Sequence, residues 1–241
     1  MHMSSIEDRL EIEADPYPFE CTSADTALLV IDMQRDFVEP GGFGEALGND
    51  VSQVQDAIEP TQRVLQRARD VGLPVIFTRE GHEPHLADCP PSKQERGNNE
   101  VGIGDEGPMG RVLVRGERGH GIIDELQPRA DEVVIDKPGK GSFYGTDLDL
   151  ILRNEGIENL IVTGVTTEVC VHSTIREAND RGYECLLLED CVGSYFEQFQ
   201  RVGVEMIKAQ GGIFGWVSDS KRLDQALGPL ATAESTQTTT D

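Results

Sequence analysis

Short apolar runs alternate with helical segments along most of this sequence, and this alternation limits the possible folds more than any other feature. The runs lie at 26–31, 74–78, 132–135, 159–163, 185–188 and 213–217, and helical spacing is found at 58–71, 146–154, 168–181, 198–210 and 221–227. A run that is apolar at nearly every position, such as TALLVI at 26–31, is typical of a parallel strand covered on both faces. We therefore predict an α/β fold with a doubly wound, Rossmann-like parallel sheet and helices on both faces.

The length of 241 residues suits one large α/β domain. We predict an N-terminal arm without periodicity at 1–24, a single domain at 25–230, and a disordered tail at 231–241, where apolar residues are few. The segment 80–120 is rich in glycine, proline and charge. Irregular stretches of this length usually form functional loops or oligomer contacts.

The charge balance excludes two classes of partner. Forty-four acidic residues face 21 basic ones, which gives a formal net charge of -23. Such a chain repels nucleic acid phosphates and anionic membranes, so we expect neither as a partner. No run of about 18 apolar residues predicts a membrane span. The acidic, polar N-terminus does not resemble a secretory signal, which predicts a cytoplasmic protein.

The same charge also predicts a response to salt. Self-repulsion destabilises a compact acidic chain, and a Debye length of about 3 Å near 1 M salt relieves that repulsion. We therefore predict a halophilic protein adapted to a saline cytosol. The alternative is an ordinary acidic enzyme.

Five cysteines occur, at 21, 89, 170, 185 and 191. Their odd number and the lack of a CxxC spacing make a disulfide scaffold or a cysteine-rich zinc site improbable. One reactive thiol among structural cysteines fits this pattern better.

The active site of a doubly wound sheet lies at the carboxyl ends of its strands, near the point where the strand order reverses. The polar residues at the predicted strand ends are Asp32, Asp136, Lys137, the segment 163–167 and the segment 189–191. These positions are the candidates for catalysis.

Among the thiols, Cys170 is the preferred nucleophile. It follows a strand, a glycine turn and the start of a helix, where free N–H groups and the positive helix end favour a thiolate and can hold an oxyanion. Cys191 also follows a strand end and is the alternative, although no equally clear helix starts there. Cys185 lies mid-strand and reads as structural.

Asp32 and Lys137 each follow a buried strand. A carboxylate in such a place costs several kcal/mol unless it is paired, and Lys137, one of only five lysines, is the natural partner. The alternative is a structural ion pair or a loop cap. Beside Cys170, however, a carboxylate can accept the thiol proton and an ammonium can stabilise the charge that remains. The three together predict nucleophilic acyl transfer.

Three stretches resemble the isochorismatase-like cysteine hydrolases, and the resemblance runs from about 15 to 227: ALLVIDMQRDFVEPGGF, VIDKPGKGSFYGTDLDLILR and NLIVTGVTTEVCVHSTIREANDRGYECLLLEDC. Within this family, local features are most similar to biuret hydrolase: ADPYPF, TREGH, LADCP, GIGDEGP, KPGKGSF and KAQGGIFG. The family also includes N-carbamoylsarcosine, ureidoacrylate and nicotinamide amidohydrolases, and isochorismatase itself.

The resemblance implies roles for particular residues. Cys170 is the implied nucleophile, Asp32 the base and Lys137 the third member of the triad. A cis Val165–Thr166 peptide is implied, which turns the N–H of Thr166 toward the oxyanion beside that of Cys170. The implied substrate contacts are Gln210, Lys140 and Phe37.

The implied reaction is hydrolysis of a small carbamoyl amide through a thioester, most directly biuret to allophanate and ammonia. The alternatives are another amidase of the family and a non-catalytic thiol sensor on the same fold. A small-molecule amide is the expected partner, and because relatives are commonly tetramers, a homotetramer is expected as well.

We expect no cofactor and no metal. Nicotinamidases hold a metal through an Asp and two His in a DxH…H spacing, which this chain lacks. His82 and His85 read as loop or surface histidines, and His120 and His172 show no metal spacing, with His172 placed for packing or polar support.

Overall fold

The computed structural model describes residues 9–95 and 101–237. Its strands are β1 (Arg9–Ile12), β2 (Phe19–Thr22), β3 (Thr26–Ile31), β4 (Val75–Glu80), β5 (Glu106–Gly107), β6 (Gly110–Arg111), β7 (Val133–Lys137), β8 (Asn159–Val165), β9 (Glu184–Gly193) and β10 (Trp216–Ser218). Its α-helices are α1 (Arg35–Val38), α2 (Phe43–Ala46), α3 (Ser52–Gln55), α4 (Ile58–Asp70), α5 (Pro91–Gln94), α6 (Leu148–Asn154), α7 (His172–Asp180), α8 (Glu197–Gly212) and α9 (Ser220–Gln237).

Six strands form one central sheet in the order β10-β9-β8-β3-β4-β7, and every neighbouring pair is parallel. This order confirms the predicted doubly wound fold, and all six predicted strands are present. The chain starts the sheet at β3 and builds outward in both directions. The strand order therefore reverses between β3 and β8, which opens a crevice at their carboxyl ends.

Two apolar layers cover the sheet, one on each face, and β3 shows how the sequence divides between them. Leu28 and Val30 belong to one layer, whereas Leu29 and Ile31 belong to the other. Every residue of β3 is buried, as expected of a strand covered on both faces. Burying each such side chain contributes about 1.5–3 kcal/mol.

The structure corrects the prediction of an irregular N-terminal arm at 1–24. Residues 9–22 form the antiparallel hairpin β1-β2, and Leu10, Ile12 and Phe19 are buried in the same core layer as α4. An antiparallel bridge between Asp15 and Val217 ties the hairpin to β10. Four alternating residues per strand are too few to stand out from the sequence as periodicity. Residues 1–8 of the predicted arm lie outside the described residues.

The last helix is longer than its pattern predicts. The prediction ends at 227, but α9 continues to Gln237 and so takes in the first part of the segment predicted to be a disordered tail. Leu223 and Leu227 are buried and fix the start of the helix. Once a helix is nucleated, each further residue adds a hydrogen bond at small cost. Residues 238–241 lie outside the described part of the chain.

The described parts of the segment 80–120, residues 80–95 and 101–120, follow the carboxyl end of β4. They contain α5 and the small hairpin β5-β6, and single bridges link His82 with Val114 and Gln34 with Ile122. Among the described residues, none of the helices combines the length and apolarity that crossing a bilayer requires.

Candidate active site

Four ionisable side chains meet at the carboxyl ends of neighbouring strands. Asp32 follows β3, Glu80 ends β4, Lys137 ends β7, and Cys170 lies on the turn after β8. The first three are 0% exposed and Cys170 is 4% exposed. The two carboxylates and the Cys170 sulfur each place an atom within 4.8 Å of the other two. The predicted triad therefore comes together, and Glu80 joins it.

Asp32 is held by two neighbours in a tight turn. Its backbone has a φ of 51°, which turns the chain sharply after β3. Oδ1 accepts a hydrogen bond of 2.7 Å from the hydroxyl of Thr78. Oδ2 lies 2.7 Å from Nζ of Lys137, yet outside hydrogen-bond geometry, so the contact is an ion pair and the lone pairs of Oδ2 stay available. A proton acceptor is thus fixed near the thiol.

The ammonium group of Lys137 has three close oxygen neighbours. It donates to the backbone oxygens of Gly139 at 3.0 Å and Lys140 at 2.8 Å, and it forms the ion pair with Asp32. Burial lowers the pKa of Lys137, but the neighbouring acidic groups, Asp32 foremost, together outweigh burial, so that the pKa lies above its ordinary value. The group is therefore a fixed positive charge beside the thiol.

Cys170 lies on a π-helical turn, Thr167–Val171, directly ahead of α7. Burial raises the pKa of its thiol well above the ordinary value, and the opposing effect of Lys137 is smaller. The resting side chain is therefore a thiol, and its S–H points to Oε2 of Glu80 at 3.5 Å. Attack on a substrate requires a base, and Asp32 stands within reach.

The structure groups Cys170, and not its alternative, with the acid and the lysine. Cys191 is fully buried within β9, where its sulfur contacts Asp190 at 3.6 Å. Cys185 is buried in the same strand. The sequence pattern could not separate Cys170 from Cys191, because it does not show that β9 continues past Cys191 to Gly193.

The Val165–Thr166 peptide is cis, as the family resemblance implies. Thr166 directly precedes the turn that carries Cys170, and its backbone oxygen accepts a hydrogen bond of 3.1 Å from Val169. The N–H groups of Thr166 and Cys170 therefore belong to one short, hydrogen-bonded turn.

Glu80 is the residue that sequence reasoning missed. The predicted strand stops at 78, whereas β4 continues to Glu80, which pairs in register with Lys137. The side chain of Gln34 fixes its backbone, accepting from its N–H at 2.7 Å and donating to its carbonyl at 2.9 Å. The pairing of β4 with β7 places Glu80 beside Lys137, but the sequence does not reveal which strands are neighbours.

Three ammonium groups surround this carboxylate. Nζ of Lys140 and Nζ of Lys93 each lie 2.8 Å from Oε1 of Glu80, and Nζ of Lys137 lies 4.0 Å from Oε2. Burial raises the pKa of Glu80, but these charges, that of Lys140 foremost, outweigh burial and lower the pKa to about 2. Glu80 is therefore ionised at neutral pH.

The other predicted site residues are not all brought together. The Lys140 side chain, 45% exposed, stands at the open side of the group. Phe37 lies on α1 and is partly buried, and its backbone oxygen accepts a hydrogen bond of 2.6 Å from the Tyr195 hydroxyl. Burial raises the pKa of the Tyr195 hydroxyl, and Cys170 is among the titratable groups near it.

Gln210 lies elsewhere. It is exposed at the end of α8, where its φ is 54°, and the chain from there enters the amino end of β10. A Cβ on Gly215 would meet the backbone of Cys185, which is near the start of β9. Within one chain, Gln210 is therefore at the edge of the sheet opposite Cys170.

His82 lies in the loop after β4, as one of the two predicted options, but it is fully buried. Its Nε2 lies 3.0 Å from Nζ of Lys93. Burial lowers its pKa, so the ring is neutral and accepts from the lysine. His85 is exposed as predicted. His172 is buried with Nε2 2.9 Å from the backbone oxygen of Gly203, in keeping with polar support.

Asp32, Glu80 and Cys170 form the single group of metal-ligating side chains among the residues that the structure describes. Lysine ammonium groups already lie against both carboxylates. These fixed positive charges oppose a cation in the same place.

Known proteins are similar to this chain over most of its length. The family model described as the isochorismatase domain matches residues 26–222. A ureidoacrylate amidohydrolase, RutB, from Yersinia enterocolitica is 34% identical over 225 residues, which cover 91% of this chain and 96% of that protein. RutB from Serratia proteamaculans is 34% identical over 215 residues, covering 87% of this chain and 86% of that protein.

Two solved structures are similar as well. N-carbamoylsarcosine amidase from Thermoplasma acidophilum matches with a TM-score of 0.62 and 26% identity, covering 81% of this chain and 96% of that one. A cysteine hydrolase from Pseudomonas syringae pv. phaseolicola matches with a TM-score of 0.73 and 24% identity, covering 95% of this chain and 100% of that one. At this last identity the match concerns the fold alone.

Proposed function

This chain belongs to the isochorismatase family, and from that premise we propose that it is a cysteine-nucleophile amidohydrolase of small carbamoyl amides, with biuret as its first candidate substrate. The observation that carries the proposal is the buried Asp32–Lys137 pair, 2.7 Å apart, beside the thiol of Cys170. A thiol, a base and a fixed cation in one water-poor site suit nucleophilic acyl transfer.

The first step makes the nucleophile. Asp32 takes the proton of Cys170, and the charge of Lys137 stabilises the resulting thiolate. The sulfur then attacks the carbonyl carbon of the substrate, and the electron pair of the C=O bond moves to oxygen. The N–H groups of Thr166 and Cys170 hold this oxyanion, and each donor contributes about 3–4 kcal/mol in comparable acyl-transfer sites.

The second step breaks the C–N bond. The oxyanion collapses, Asp32 returns its proton to the leaving nitrogen, and ammonia departs. The acyl group remains on Cys170 as a thioester. Water then gives a proton to Asp32 and attacks the thioester carbonyl. The sulfur leaves and recovers a proton, and the product is released as a carboxylate. For biuret the products are allophanate and ammonium.

Two substrates deserve priority. The local features shared with biuret hydrolase support biuret, and Lys140 stands at the open side of the site where a small, flat amide would enter. The relatives named for ureidoacrylate, at 34% identity, support ureidoacrylate as the second candidate.

An ammonia-release assay tests the proposal. Biuret, ureidoacrylate, N-carbamoylsarcosine and nicotinamide are compared in about 1 M KCl, a salt level at which charge repulsion is screened. We expect biuret to give the largest kcat/KM and Cys170→Ala to lose at least about 1,000-fold in kcat, as removal of a nucleophile does. Cys191→Ala, which replaces a buried thiol of the neighbouring strand, should retain activity.

Each result has a separate meaning. If another amide is preferred and Cys170→Ala is inactive, the chemistry stands and the substrate is reassigned. If Cys170→Ala keeps full activity, or if wild type releases no ammonia while iodoacetamide modifies Cys170 rapidly, the hydrolase proposal is wrong and the thiol-sensor alternative gains support.

A further inference from the structure

The proposed reaction assigns no role to the buried charge of Glu80. Glu80 is ionised and 0% exposed, and its Oε2 lies 3.5 Å from the Cys170 sulfur. A carboxylate in that position opposes formation of the thiolate, because the two negative charges repel each other. A group that hinders the first step and is nevertheless held by three ammonium groups calls for another role.

The hydrogen-bond donors of the three lysines are not equally available. An ammonium group has three donors. Lys93 donates to the backbone oxygen of Pro138 at 2.7 Å, lies 3.0 Å from Nε2 of His82 and forms an ion pair with Oε1 of Glu80 at 2.8 Å. The ammonium of Lys137 likewise has three oxygen neighbours, described above. Both ammonium groups thus have three close polar neighbours, and both side chains are more buried than that of Lys140.

Lys140 differs from both. In the part of the chain that the structure describes, its ammonium has one hydrogen-bond partner, Oε1 of Glu80 at 2.8 Å. Its side chain is also the most exposed of the three lysines at the site. Two of its donors therefore face the open side of the site.

The two oxygens of Glu80 are also unequal. Oε1 lies 2.8 Å from the ammonium groups of both Lys140 and Lys93. Oε2 instead makes the long contact with the Cys170 thiol and lies 4.0 Å from Nζ of Lys137. A carboxylate oxygen can accept two hydrogen bonds, so Oε2 has room for a stronger donor than S–H. The site thus presents one acceptor and two donors side by side, next to the nucleophile.

We propose that Glu80 and Lys140 form the subsite for the uncleaved half of the substrate, in which Oε2 of Glu80 accepts an N–H and Lys140 donates to the adjacent carbonyl. This inference rests on the proposed function and narrows its substrate class to neutral ureides. A ureido acid would bring a carboxylate to the same place. That group has no proton to donate to Oε2, so Glu80 discriminates against it even though Lys140 can donate to it.

The same arrangement couples binding to activation. In the free enzyme Glu80 keeps the thiol protonated. When a substrate N–H donates to Oε2 in its place, the S–H of Cys170 loses this acceptor and its proton passes to Asp32. The titratable groups that face Cys170 are Asp32, Glu80, Lys137, Lys140 and Tyr195. Among them Glu80 opposes ionisation without being the base.

Glu80→Gln tests the inference because it keeps the shape of the side chain and removes its charge. Its kcat/KM is measured with biuret and with N-carbamoylglycine, which carries a carboxylate in place of the second carbamoyl group. We expect the variant to lose about 100-fold with biuret and to lose nothing with N-carbamoylglycine, since an unpaired polar contact affects only the substrate that makes it. Glu83→Gln, at an exposed carboxylate that pairs with Arg115 outside the site, is the matched control.

Equal losses on both substrates would mean that Glu80 is structural and would overturn the inference, as would a wild-type preference for N-carbamoylglycine. If wild type hydrolyses neither, the proposed function fails, and alkylation of Cys170 by iodoacetamide then decides the role of Glu80. We expect the pH midpoint of alkylation to fall by at least about one pH unit in Glu80→Gln. We also expect biuret, but not N-carbamoylglycine, to slow alkylation of wild type. Unchanged midpoints, or equal protection by the two compounds, would contradict the inference.

Discussion

At the scale of single residues, the site is a compensated cluster of buried charges. Each of Asp32, Glu80 and Lys137 would cost several kcal/mol if buried alone, and each has an oppositely charged partner within 2.8 Å. The sequence revealed the pair Asp32–Lys137, because each follows an apolar run. It did not reveal Lys93, whose chain position in an irregular segment carries no periodic signal.

A buried histidine provides the first prediction. His120 is 2% exposed with Nε2 3.4 Å from Asp136, and burial lowers its pKa to about 4 from an ordinary value of 6.5. The folded state therefore resists protonation, and its stability is complete above pH 6.5 and is lost as the pH falls toward 4. Between pH 7 and pH 5, we expect this group to reduce the free energy of unfolding by about 2 kcal/mol.

Urea unfolding at the two pH values measures this loss. His120→Gln should lose less stability than wild type over the same interval, while His85→Gln, at an exposed histidine, should behave as wild type does. A residual loss is expected in His120→Gln, because burial also lowers the pKa values of His82 and His172. Identical losses in wild type and His120→Gln would contradict the prediction.

At the scale of the elements, the site depends on how closely β3 and β8 approach each other. Gly164, near the end of β8, has a φ of 115°, and a Cβ there would lie 2.0 Å from the backbone oxygen of Ile31. Because Ile31 directly precedes Asp32, any backbone shift that relieves this clash also moves the base. The crevice between the two strands is thus set by the absence of one side chain.

Gly164→Ala should therefore lose both stability and activity. We expect the free energy of unfolding to fall by more than about 3 kcal/mol, since both strain and a backbone clash are introduced. Gly156→Ala is the control, since Gly156 has a φ of 71° but nothing within 4 Å of its added Cβ. It should cost about 1 kcal/mol and leave kcat unchanged. Equal effects of the two substitutions in thermal and urea unfolding would show that the contact with Ile31 is unimportant.

At the scale of the whole molecule, the net charge of -23 dominates behaviour in solution. If repulsion costs the fold about 3 kcal/mol in dilute buffer, its screening should raise Tm by about 10 °C, at 2–4 °C per kcal/mol for a chain of this size. Scanning calorimetry from 0.1 M to about 3 M KCl measures the change. Sucrose at matched osmolality separates screening from solute exclusion. If Tm does not rise toward molar salt, the proposed saline adaptation is wrong.

Assembly is a second property of the whole molecule. The family resemblance implies that Gln210 contacts substrate, yet the fold places it at the edge of the sheet opposite Cys170. Both statements hold together only if a second copy of the chain supplies Gln210. A shared site of this kind requires at least two chains, and the homotetramer and an interface at 80–120 stay predictions.

Mixing inactive variants tests this arrangement. Chains of Cys170→Ala and Gln210→Ala are dissociated and reassembled together. If Gln210 acts across an interface, some sites combine an intact Cys170 with an intact Gln210, so about a quarter of wild-type activity should return in a random dimer-type mixture. Each variant reassembled alone is the control. Activity no greater than the sum of those controls would place Gln210 outside the site or within its own chain.

The sequence by itself determined the class of the fold, the six core strands and the strand ends that carry Asp32 and Lys137. Apolar runs are local, and they report burial on both faces of a parallel sheet. Polar residues that follow such runs must lie at its carboxyl edge. Asp32 and Lys137 could therefore be placed together before any coordinate was known, whereas Cys170 was preferred to Cys191 without excluding it.

Only the tertiary structure decided what surrounds these three residues. Glu80 joins them because β4 continues two residues past its predicted end and pairs with β7 in register. Lys93 reaches it from α5, and Gln210 is carried to the far edge by α8. Such contacts depend on strand order, strand length and the course of irregular loops. These follow from long-range packing, and a local pattern of side chains does not encode them.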